Sequence, residues 1–174
     1  VVHRDLKPAH VLVRHDGDPR LLDFGIAALH RAGSEDALTR EHGRLLTPEF
    51  ASPEQLAGTR VDTRSDVYQL GAMLHLLLTG VHAAAATGAQ DPAPPSTCVR
   101  ERPDWPLPAR ALRGDLDAIV LKALDHDPAR RYQSVDALLA DLQRSRAGLP
   151  IAARDHGPLR RGLKLLRRHW LASG

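Results

Sequence analysis

Three side chains near the start of the chain have the types and spacing to move a phosphoryl group. Asp5 and Lys7 lie two positions apart, and Asp23 follows Asp5 by eighteen. A loop carboxylate can orient or accept the proton of an attacking hydroxyl. An ammonium beside it can neutralise charge on the moving phosphate, and a second carboxylate can hold Mg²⁺. To serve one reaction, these groups must face one cleft. Val11-Leu12-Val13 and Leu21-Leu22 are short apolar runs around His15-Asp16-Gly17-Asp18-Pro19. Asp-Gly between such runs signals a hairpin, because glycine tolerates positive φ. The hairpin sets Asp5 before its first strand and Asp23 after its second, so both carboxylates can face the same side.

Beyond the hairpin, residues 26–52 lack a sustained period and are rich in Gly, Thr, Ser, Arg and Glu, the composition of a long functional loop. Helical periodicity begins at Asp66 and runs to Thr79. Val67, Leu70, Leu74, Leu77 and Leu78 form one stripe, and Met73 and Leu76 fill much of the other side. This helix is expected to be buried nearly all round, with Gly80 as its stop. Residues 81–113 carry four consecutive alanines and six prolines and read as irregular connection. A second helix carries Leu116, Ile119, Val120, Ala123 and Leu124 and is stopped by Asp127-Pro128. A third starts near Ser134, is expected to bury Val135, Leu138, Leu139 and Leu142, and ends at Gly148. No internal repeat is evident.

Bulk composition narrows the function classes. At 174 residues, 43% hydrophobic and 26% charged, the chain reads as soluble and globular, with one core plus a tail. It begins at Val1 and its only methionine is Met73, so it is expected to be a piece of a longer protein. The net charge of +3 conceals an asymmetry. Residues 151–174 carry six Lys/Arg against one acid, which leaves the remainder slightly acidic and gives no argument for nucleic-acid binding by the core. The single cysteine, Cys98, excludes an internal disulfide and fits a reducing cytoplasm. The ten histidines show no HxxxH or HExxH spacing, so a zinc centre is not expected, and no 18-residue apolar run is present.

Read in order, the motifs form a single series. His3-Arg4-Asp5-Leu6-Lys7-Pro8 and Asp23-Phe24-Gly25 come first, then Thr47-Pro48-Glu49-Phe50-Ala51-Ser52-Pro53-Glu54-Gln55. Next are Ser65-Asp66-Val67-Tyr68-x-Leu70-Gly71, Leu78-Thr79-Gly80, Gly114-Asp115-Leu116-Asp117-x-Ile119 and Asp127-Pro128-x-x-Arg131-Tyr132. The series resembles the eukaryotic-type (Hanks-type) serine/threonine protein kinases of bacteria, over residues 1 to about 148. The resemblance implies the protein kinase-like fold, specifically its C-terminal lobe: mainly α, with a short β-hairpin carrying the catalytic and metal-binding loops. Residues 149–174 would be a basic tail.

The resemblance also implies roles. Asp5 would be the catalytic carboxylate, Lys7 would contact the γ-phosphate of ATP, and Asp23 would coordinate Mg²⁺. Thr47 would bond within reach of Asp5 and Lys7 and, with Lys7, points to Ser/Thr hydroxyls of a protein substrate. Leu12 would lie beneath the adenine. His3 and Phe24 would stack in an apolar column ending at Asp66, whose carboxylate would accept from backbone N–H groups around His3 and Arg4. Glu54 and Arg131 would form a buried architectural ion pair. Arg4 would be a switch cation awaiting a phosphate, with Ser34 and Thr39 as the candidate phosphoacceptors.

The chain departs from the family pattern in three places. The pattern continues to a metal-binding Asn, where this chain has His10. Imidazole nitrogen suits softer metals than Mg²⁺, so Mn²⁺ is expected to support more activity. The prolines of 81–113 leave no convincing helix where the family places one that helps dock substrate. No GxGxxG occurs, so the N-lobe that covers ATP is not in this sequence, and the 174 residues alone are expected to be inactive. In the tail, Leu159, Leu163, Leu166 and Trp170 share one face among five basic residues. This is either a solvated basic helix or a juxtamembrane segment. On the second reading, residues 154–170 contact anionic lipid at the inner face of a bacterial plasma membrane. The leading functional expectation is Ser/Thr protein phosphorylation with ATP and Mg²⁺. The alternative is a pseudokinase or protein-interaction module.

Overall fold

A computed structural model describes residues 2–22, 47–83, 92–100, 102 and 104–154. Asp23, Phe24, Ser34, Thr39 and the tail leucines and Trp170 lie outside the described residues. After a 3₁₀ turn at Pro8–His10 come strands β1 (Val11–Val13) and β2 (Pro19–Leu21), paired antiparallel with Val11 opposite Leu21 and Leu12 opposite Arg20. The turn between them is closed by Arg14 N–H donating to Asp18 O at 3.0 Å. The helices are α1 (Pro53–Leu56), α2 (Thr63–Thr79), α3 (Pro95–Arg100), α4 (Ala109–Leu112), α5 (Asp115–Ala123) and α6 (Val135–Arg146).

Helix α2 is the mast of the fold. It begins three residues before the periodic run, because the Asp62 side chain caps it by accepting from Arg64 N–H. The side-chain bond from Arg64 holds the Asp62 carboxyl below its ordinary value. At the other end, Gly80 takes a left-handed φ of 69° and donates to Leu76 O. A Cβ there would overlap the Trp105 ring, whose Nε1 donates to Leu78 O at 2.7 Å, while Arg102 donates to Thr79 O at 2.6 Å. Two orphan carbonyls of the last turn, those of Leu78 and Thr79, are thus satisfied by side chains arriving later in the sequence. Midway, a Cβ on Gly71 would come within 2.8 Å of the Ala123 Cβ, so glycine is what lets α2 and α5 touch.

Two apolar clusters flank α2. Leu6, Phe50, Ala72, Met73, Ala83, Val120 and Leu124 form one, on the side of the opening loop. Val67, Ile119, Ala123, Tyr132, Leu138 and Ile151 form the other. Burial of α2 is less complete than its composition suggests: Leu77 is 68% exposed. It lies roughly 80° round the helix from Val67, at the edge of the stripe.

Two further expectations are corrected. On α6 the buried residues are Leu138 and Asp141, while Val135 and Leu139 are exposed. The helix is turned by a polar contact. The Asp141 carboxylate accepts from the Tyr132 hydroxyl at 2.9 Å and from Ala152 and Ala153 N–H, both at 2.7 Å. Burial first, then this bond, pushes the Tyr132 phenol far above its ordinary range.

The stretch 81–113 is not wholly irregular, since it holds α3 and α4. Pro95 opens α3 and Pro108 caps α4, positions where a missing N–H costs nothing. Buried His75 of α2 sits between Val81 O at 3.0 Å and Ala93 O at 3.2 Å, and Ser96 donates through N–H and Oγ to Asp117. Among the described residues, no helix is long and apolar enough to cross a membrane.

Candidate active site

The loop around Asp5 is held by its backbone. Arg4 is the one non-glycine among the described residues with positive φ, at 71°. Such a conformation costs on the order of 1–2 kcal/mol and persists only where the surroundings fix it. Here they do. The Asp66 carboxylate accepts from His3 N–H at 2.8 Å and Arg4 N–H at 2.9 Å. Arg4 O accepts from Gln55 Nε2 at 2.6 Å and Gln69 Nε2 at 3.0 Å, and Leu6 N–H donates to Gln69 Oε1 at 2.9 Å. His3 is buried, with its ring 6.3 Å from that of His10. The Arg4 side chain is exposed.

From this frame the polar side chains converge. Lys7 Nζ lies 2.9 Å from Asp5 Oδ2 and donates to Thr47 Oγ1 at 3.1 Å, so three residues predicted for one site share one hydrogen-bonded chain. His10 Nδ1 is 2.8 Å from Asp5 O and 3.6 Å from Asp5 Oδ2. A carbonyl only accepts, so the proton of this bond sits on Nδ1, and in the neutral ring the lone pair is on Nε2. Leu12 projects from β1 and is exposed. As a seat for Mg²⁺ the described donors are mixed: Asp5 offers carboxylate oxygen, and His10 offers nitrogen. No group of three His, Cys, Asp or Glu among the described residues is placed to hold a metal.

Beneath the loop, Glu54 and Arg131 meet in a two-pronged ion pair at 2.7 and 2.8 Å. Ser65 Oγ adds a bond to Glu54 at 2.6 Å. Arg131 also donates to the carbonyls of Asp125, Arg64 and His126. Burial pushes the Glu54 carboxyl up, but the bonds from Arg131 and Ser65 outweigh it and hold it at about 2. This pair joins α1, at the end of the long loop, to the turn before α6.

Gln69 and the bonding of Gln55 were not singled out by the sequence reading. One signal was present: Gln69 is a polar residue in an apolar helix, one turn from Asp66 and on its face.

A family model described as protein kinase domain matches residues 1–141. The serine/threonine-protein kinase PknB of Mycobacterium tuberculosis is 39% identical over 154 residues, covering 86% of this chain and 24% of that protein. A probable serine/threonine-protein kinase of Streptomyces coelicolor is 38% identical over 156 residues, covering 88% of this chain and 22% of that protein. The chain therefore spans about a quarter of the length of these relatives. Among solved structures, a double mutant of the Mycobacterium tuberculosis PknI kinase domain superposes with a TM-score of 0.54 at 27% identity, covering 83% of this chain and 45% of that one. The ordered motifs, the Asp66-held loop and these matches together place this chain in the protein kinase family, among the serine/threonine kinases of bacteria.

Proposed function

We propose that the protein containing this chain transfers the γ-phosphate of ATP to serine or threonine hydroxyls of a protein substrate. The observation that carries this reading is the Asp5–Lys7–Thr47 chain on a strained, externally fixed loop. Asp5 accepts the hydroxyl proton as the substrate oxygen bonds to phosphorus. The bond from phosphorus to the β–γ bridging oxygen breaks, and ADP leaves with that oxygen. Lys7, held between Asp5 and Thr47, would meet the γ-phosphate with its orientation already set. Asp23 is the residue that would hold Mg²⁺, which supplies positive charge to the ATP phosphates when bound. The chain spans about a quarter of the length of its relatives, and the activity is proposed for the whole protein that contains it.

The test is phosphate transfer from radiolabelled ATP to protein substrate by the full-length protein and its Asp5→Asn variant. The variant should lose about 10²–10⁴-fold in kcat. A wild-type protein that transfers nothing overturns the enzyme and leaves a protein-interaction module, whereas an active wild type equalled by its Asp5→Asn variant overturns the role of Asp5.

A further inference from the structure

We propose that Gln69 is a positioning residue for Asp5, fixing the peptide groups on both sides of the catalytic carboxylate. The inference rests on the kinase reading above. Gln69 is 1% exposed in the middle of α2, where the helix satisfies its own backbone and asks nothing of this side chain. All its partners lie outside α2. Oε1 accepts from Leu6 N–H at 2.9 Å, and Nε2 donates to Arg4 O at 3.0 Å and to Gln55 Oε1 at 3.0 Å. The orientation of the amide is set chemically, because an N–H can only donate and a carbonyl can only accept.

The geometry matters because of which peptide units are held. Arg4 O belongs to the peptide entering Asp5, and Leu6 N–H belongs to the peptide leaving it. With both planes fixed, φ and ψ of Asp5 are fixed, and so is the direction in which its Cα–Cβ bond leaves the backbone. His10 bonds Asp5 O on the same outgoing peptide, and Asp66 holds the residues before it. Gln55, whose Oε1 also accepts from Ser52 N–H and Oγ, passes the constraint to the end of the long loop. Position 69 is also the one left open in the run Ser65-Asp66-Val67-Tyr68-x-Leu70-Gly71, so the family motif does not require this glutamine.

The experiment uses the full-length protein and its Gln69→Leu, Gln69→Met and Gln69→Glu variants. Two readouts are taken: hydrogen exchange at the Leu6 amide, and kcat with KM for ATP, per folded molecule. Leu and Met keep the bulk and remove the bonds. Leu6 exchange should rise about tenfold or more, and kcat should fall about tenfold or more with KM for ATP nearly unchanged. Glu keeps the acceptor for Leu6 N–H and loses the donor to Arg4 O, so its kcat should fall while Leu6 stays protected. Met serves if Leu prevents folding. A residue that merely fills the core would lower the melting temperature while leaving kcat and Leu6 exchange unchanged, and that result overturns the proposal. If the wild-type protein transfers no phosphate, the kinase reading falls separately. Leu6 exchange then decides: faster exchange keeps the clamp and unchanged exchange ends it.

Discussion

Two carboxylate–cation pairs in this molecule have similar separations and different surroundings. Lys7 and Asp5 meet at 2.9 Å, with side chains 19% and 28% exposed, whereas Arg131 and Glu54 meet at 2.7 Å and are 0% and 9% exposed. Arg131 spends its guanidinium on both Glu54 oxygens and three backbone carbonyls, so it has nothing left to offer a ligand. Among the described residues Lys7 bonds Asp5 and Thr47, and it is partly exposed. Saturation and burial turn one pair into architecture. Partial exposure leaves the other available for chemistry.

The comparison is tested most severely at Arg131. Arg131→Met leaves the Glu54 carboxylate buried without its cation and should cost about 3–5 kcal/mol of unfolding free energy, read by chemical denaturation. The pH dependence carries the same signature. The folded-state pKa of Glu54, about 2, lies below the ordinary 4.5. A depressed carboxylate contributes stability that is full above its unfolded pKa and is lost as pH falls through the folded value. Wild-type stability should therefore decline from about pH 4.5 towards pH 2, and the Arg131→Met variant should lose most of that slope. A variant within about 1 kcal/mol of wild type would mean that the pair is not structural.

At Lys7 the two effects should separate in the opposite sense. Lys7→Met removes a half-open pair, so stability should change by no more than about 1 kcal/mol. Phosphate transfer by the full-length protein should fall by about 10²-fold, because the proposed reaction uses this cation to meet the developing charge. Stability measured by denaturation and turnover measured on the same preparation check this together. A large loss of stability with turnover intact would erase the distinction between the two pairs.

The sequence was most legible where one residue type has one job. The order Asp5, Lys7, Glu54, Asp66, Arg131 could be read without coordinates because each sits in a fixed motif. Gly80 stops α2 through a backbone conformation that glycine adopts at little cost. What escaped depends on tertiary partners. Val135 and Leu139 look like core on periodicity alone, but α6 is rotated by Asp141, and its partners Tyr132, Ala152 and Ala153 lie up to twelve residues away. The prolines of 81–113 suggested irregularity because proline breaks helix interiors, yet Pro95 and Pro108 stand at helix starts, where it does no harm. Gln69 escaped because the importance of a buried amide lies in what faces it, here a loop more than sixty residues earlier.

The smallest expected effect, at His10, asks how far the open pair tolerates a change beside it. His10 already performs one task, since its Nδ1–H bonds Asp5 O at 2.8 Å and helps fix the outgoing peptide. An asparagine in its place could make the same bond through its amide nitrogen and turn its oxygen outward. The difference therefore falls on the outward atom, nitrogen in one case and oxygen in the other. Mg²⁺ takes oxygen, whereas Mn²⁺ accepts nitrogen more readily. His10→Asn in the full-length protein should raise the Mg²⁺-supported rate by roughly two- to tenfold and lower the ratio of Mn²⁺ to Mg²⁺ rates, with stability unchanged. Equal Mg²⁺ rates in the two proteins would confine His10 to bonding the backbone.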